Sequence, residues 1–123
     1  MENNKMEEML KENYKTIKFE DYEKQEEYTL TKEKNGKYYL EVSSRTMIEP
    51  NDKIDDLFNQ MDNYYDSINQ NDYWPKTSEY PDMMILWSAN KTGKDSSRKD
   101  GALGYPEGWD SMLDKIKDFY KNN

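Results

Sequence analysis

The chain contains no cysteine and no histidine. Disulfides, zinc fingers, cysteine or serine–histidine nucleophiles and the H-E-x-x-H zinc site are therefore excluded. Arginine is almost missing too, at Arg45 and Arg98 only, against sixteen lysines; that bias, with twelve asparagines, reflects an AT-rich coding sequence and carries no physics. Long apolar runs are also lacking. The longest, MMILW at 83–87, is far short of the roughly 20 residues a membrane helix needs. The opening MENNKMEEMLKENYK is polar and charged, unlike a secretory signal. These absences suit a cytoplasmic protein with no membrane partner.

What is present is charge and aromatic surface. Apolar residues make up 33% and charged residues 36% of 123 residues, with a net charge of −8. That composition borders on that of disordered chains. The 11 tyrosines and 3 tryptophans supply buried area in place of aliphatics, so we expect one domain, residues 1–123, with a tyrosine- and methionine-rich core. The acidity argues against direct binding of nucleic acid, because phosphate contacts need surplus Lys and Arg.

Periodicity then places elements along the chain. Met6, Met9, Leu10 and Tyr14 fit a short amphipathic helix, and Ile17 and Phe19 share a strand face. Asn35-Gly36 lies between two β-rich runs and suits a hairpin turn. Were that turn two residues long, Tyr38, Leu40 and Val42 would share a face with Thr29 and Thr31. Ile54, Leu57, Phe58, Met61, Tyr65 and Ile68 form one helical stripe, with Asn51 as its N-cap. DMMILWSA (82–89) reads as a buried strand. Pro106 starts a last helix with the stripe Trp109, Met112, Leu113, Ile116 and Phe119. The expected fold class is α+β: a small antiparallel sheet of about four strands with helices packed on it, in the order α-β-β-β-α-β-α.

The stretch KTGKDSSRKDGALGYPEGW (91–109) stands apart, with four of the five glycines and one of the two arginines. It is locally positive and runs from a buried strand to a helix start, where backbone N–H groups and the helix dipole favour anions. Arg98 is a forked donor suited to phosphate, with Lys94 and Ser97 beside it. Asn90 and Asp100 can read polar ligand edges. Tyr105 and Trp87 can supply stacking surface, although Trp87 stands open between core and pocket wall, and Trp109 reads as core. Glycines 101 and 104 would let backbone approach a ligand. A solvated connecting loop is the plain alternative. Tyr73-Trp74-Pro75 is a second aromatic candidate.

From Glu49 to Asp82 nine carboxylates face only Lys53 and Lys76. Such a surface either keeps the protein soluble or stands in for phosphates in a basic channel. No carboxylate pair stands out among 26 acidic residues, so no catalytic residue is nominated, and the sequence calls for no cofactor or metal.

In size, composition and the KDSSRKDGALGYPEGW segment, the chain resembles the phage-encoded Thoeris anti-defence sponges. The resemblance implies a non-enzymatic phage protein, at work in the cytoplasm of an infected bacterial host, that sequesters a nucleotide signal of the cyclic ADP-ribose type, with a possible homo-oligomer. The chain is also similar to acidic anti-CRISPR proteins. That likeness implies instead a basic defence nuclease as partner.

Overall fold

The computed structural model describes residues 14–76, 83–93 and 95–122. The helix expected over 2–14 lies outside these residues, except that Tyr14 opens the first strand. The described chain runs β1 (Tyr14–Asp21), β2 (Glu26–Glu33), β3 (Tyr38–Glu41), β4 (Arg45–Ile48), α1 (Asp52–Ser67), a 3₁₀ turn (Gln70–Tyr73), β5 (Trp87–Thr92), β6 (Ser97–Gly101) and α2 (Trp109–Lys121). The strands form one antiparallel sheet in the order β4-β3-β2-β1-β5-β6. The α+β class stands. The count of about four strands is corrected to six, and the order over the described residues to β-β-β-β-α-β-β-α.

Alternation of side chains divides the sheet. Ile17 and Phe19 of β1 lie opposite Leu30 and Tyr28 of β2, Leu30 lies opposite Leu40 of β3, and Trp87 and Ala89 of β5 continue the layer beyond β1. All are buried. Both helices cover this face: the Phe19 ring meets Tyr64 of α1 at 5.8 Å and Trp109 of α2 at 5.7 Å, edge-on in each case. Both expected stripes point inward, except that Phe119 is half-buried. Each fully buried Ile or Leu contributes roughly 1.5–3 kcal/mol. Asn51 caps α1 as expected, its side-chain oxygen accepting from the Lys53 and Ile54 N–H groups.

The β2–β3 turn differs from the two-residue form. Glu33 N–H donates to the Lys37 carbonyl and Gly36 N–H to the Glu33 carbonyl, so the loop is Lys34-Asn35-Gly36, with Gly36 left-handed at φ +88°. One extra residue inverts every facing relation. Tyr38 and Leu40 therefore share the buried face with Leu30, while Thr29 and Thr31 turn outward beside Tyr39. Strand β5 also starts later than expected, at Trp87. The preceding Met83–Leu86 segment is not a strand, and Met84 is 83% exposed.

Candidate functional site

The 91–109 segment is not a loop throughout. Its first half is the β5–β6 hairpin, in which Asn90 pairs with Arg98, Ser88 with Asp100 and Trp87 with Gly101. Strand alternation puts Asn90, Arg98 and Asp100 on the face away from the helices. It puts Trp87, Lys91, Ser97 and Lys99 on the helix side. Trp87 is wholly buried, with its ring 5.6 Å from Trp109 and 5.5 Å from Tyr73, and its indole N–H donates to the Gly104 carbonyl at 3.0 Å. Its role is settled as core.

Tyr105 also belongs to the helix side. Its ring lies 6.1 Å from Trp109, and its hydroxyl donates to Asp21 at 2.9 Å and Glu23 at 3.0 Å. Ser97 meets the Tyr65 hydroxyl at 2.7 Å. The expected ligand set is thus split by the thickness of a sheet, and Lys94 lies outside the described residues. A single pocket holding both Trp87 and Arg98 does not form.

The described cations of the segment, Lys91, Arg98 and Lys99, have partners inside the fold. Lys91 is ion-paired with Asp62 and, at 2.8 Å, with Asp66, while Lys15 reaches Asp62 at 3.0 Å. Burial alone would lower the Lys91 pKa, but the two carboxylates raise it overall. Burial likewise pushes the Asp62 carboxyl up, and Lys91 and Lys15 outweigh it and hold it below its ordinary value. Lys99 donates to the Tyr65 and Ile68 carbonyls, both at 2.7 Å, at the C-terminal end of α1. Burial lowers its pKa.

Arg98, 46% exposed, pairs with Asp100 at 3.2 Å, and the Tyr22 hydroxyl beside it, followed by Asp100, favours its charged form. Tyr22 meets Ser88 at 3.1 Å. The Trp74 indole donates to the Asp100 carbonyl at 2.9 Å and its carboxylate at 3.1 Å. Arg98, Asn90 and Asp100 therefore do gather, with Tyr22 and Trp74 as aromatic neighbours, on the sheet face away from the described helices.

Sequence reasoning missed a groove of about 610 Å³ between the two helices. It is lined by Lys53, Asp56, Leu57 and Gln60 of α1 and by Lys115, Asp118 and Phe119 of α2, with Asn122 just beyond. The available signal was the pair Lys53 and Lys115, each interrupting a run of aspartates on the polar side of its helix. Among the described residues no cluster of Asp and Glu is placed to hold a metal ion, and no helix is long and apolar enough to cross a membrane. No family model matches the chain, and no curated protein or solved structure matches it.

Proposed function

We propose that this protein is a non-enzymatic binder that sequesters a phosphorylated nucleotide of the cyclic ADP-ribose type, as the sponge resemblance implies, and that the ligand sits between α1 and α2. The observation that carries this reading is the groove itself. Its volume of about 610 Å³ lies within the range of small-molecule sites. Lys53 and Lys115 are point-charge donors for phosphate. Leu57 and Phe119 give an apolar wall for a purine. The amides of Gln60 and Asn122 offer donors and acceptors to base edges, and Asp118 can accept from ribose hydroxyls. In this reading the ligand is held and released chemically unaltered.

Calorimetry and thermal shift with ADP-ribose, its cyclic isomers and cyclic dinucleotides test this. A ligand at about a hundred times its Kd stabilises the fold by roughly 2.7 kcal/mol. Lys53→Ala and Lys115→Ala should each weaken binding by roughly tenfold or more, Arg98→Ala should leave it unchanged, and chromatography should recover the ligand intact. No shift with any of these nucleotides defeats the reading. Loss confined to Arg98→Ala would move the site to the open sheet face.

A second reading is favoured by the charge of the helical layer. Asp52, Asp56 and Asp66 of α1 and Asp110, Asp114 and Asp118 of α2 are all exposed, a surface that a basic nucleic-acid channel could accept in place of phosphate. Salt-sensitive capture of a defence nuclease, abolished by Asp56→Lys with Asp114→Lys, is the outcome that would select it.

A further inference from the structure

The sheet ends at β4, which pairs with β3 on one side and with no described strand on the other. Natural edge strands usually carry a feature that discourages further pairing, such as an inward charge, a bulge or a lysine. Within Arg45-Thr46-Met47-Ile48 the only charge is at the end, and it points to the open face.

The phase of the ladder is fixed at the β3–β4 turn. Val42 N–H donates to the Ser44 carbonyl, so Glu41 and Arg45 form a non-hydrogen-bonded pair, as do Tyr39 and Met47 two residues on. The backbone N–H and C=O groups of Arg45 and Met47 therefore point outward, away from β3. A new antiparallel strand must meet these odd-numbered residues with outward groups of its own.

We infer that the occupant is β4 of a second copy, paired antiparallel about a two-fold axis at Met47. This register sets Met47 against Met47 of the partner subunit and Arg45 against Glu49 of the partner subunit, twice by symmetry. The side chains agree with it. Met47 is 46% exposed on the open face and would bury its thioether chain against its own symmetry mate. Arg45 is exposed, stacked 4.3 Å over the Tyr39 ring and ion-paired at 3.6 Å with Glu41, both on β3, and Glu49 of the partner subunit would bring a second carboxylate to it from the free side of the strand. Opposite charges directly across a strand pair favour this register, while slips by two residues would lose the match. On the helix side, Thr46 would face Ile48 of the partner subunit. The result is a continuous twelve-stranded sheet with the described helices on one side.

The test is sedimentation and light scattering across a concentration series, on the full chain. The wild type should pass from monomer to a dimer of twice 14.8 kDa as concentration rises. Glu49→Arg puts two cations opposite each other at both ends and should raise the dimer Kd by about tenfold or more. Combining it with Arg45→Glu restores complementarity and should restore dimerisation. Met47→Lys sets two ammonium groups together at the axis and should leave a monomer with unchanged circular dichroism. A wild type that stays monomeric up to about 0.5 mM overturns the inference, as does a dimer indifferent to Met47→Lys or a double variant no tighter than Glu49→Arg.

Discussion

At Gly101 the requirement is for space. A Cβ there would lie 2.5 Å from the Trp87 indole nitrogen and 2.6 Å from the Tyr73 Cβ, so the glycine admits two core aromatics across the β6 strand. Gly101→Ala should destabilise by about 1–3 kcal/mol, the range for overpacked cores. The check is a lower urea midpoint at unchanged slope; an unchanged midpoint would mean that the Trp87–Tyr73 contact is looser than described. Reading the sequence assigned this glycine to ligand approach. Nothing local distinguishes the two uses, because the steric demand comes from residues 14 and 28 positions away in the chain. Asp21 shows the same limit. It is buried and accepts from the Lys24 amide, the Tyr105 hydroxyl and the Trp109 indole, and so fastens the start of α2 to β1. In sequence it is one of 26 acidic residues.

Among the described elements, α1 and α2 were legible and the edge strands were not. Each helix buries one stripe, so its 3.6-residue period survives in sequence whatever it packs against. Strands β4 and β6 are short, and Ser97-Arg98-Lys99-Asp100 carries no apolar face, because Lys99 points inward yet ends on backbone carbonyls. An inward lysine erases the pattern that identifies a strand. The turn register was ambiguous because Asn-Gly serves either as a two-residue turn or, with Gly36 left-handed, as the end of a three-residue one. The same lysine supports a prediction. Helix α1 has no basic residue in its last turn, and Lys99 supplies the missing cation from β6, next to the Tyr65 ring at 4.5 Å. Lys99→Ala should lower stability by about 1–2 kcal/mol, with faster amide exchange confined to the end of α1 if the capping role is correct and spread over the sheet if the loss is one of packing.

For the whole molecule, the absence of histidine and cysteine has a thermodynamic consequence. No side chain has an ordinary pKa between about 5 and 8, so stability should stay flat there and fall at the two ends for different reasons. On the acid side, Asp62 is held below its ordinary 3.8 despite burial, by Lys91 and Lys15, and Glu26 below 4.5, first by the Tyr28 hydroxyl. A depressed carboxyl favours the fold above its unfolded pKa, and that contribution is lost as pH falls below about 4 and through the folded value. On the alkaline side the sign reverses. Burial, with Glu26 adding to it, raises Tyr28 from 10.0 to about 12. Burial raises Tyr38, Tyr64 and Tyr105 further, with Asp55 beside Tyr38 and Asp21 beside Tyr105 adding to the shift. Their neutral forms favour the fold fully below pH 10, and the benefit disappears as pH rises through the folded values. Tyr120 goes the other way, because hydrogen bonds from Ser43 and then Ser44 favour its phenolate. Phenolate absorbance should therefore rise first with Tyr120, before pH 10, and last with Tyr28, Tyr38, Tyr64 and Tyr105, whose ionisation should coincide with loss of circular dichroism. If all 11 tyrosines titrated together near 10 with the fold intact, the tyrosine-lined core that substitutes for scarce aliphatics would be wrong.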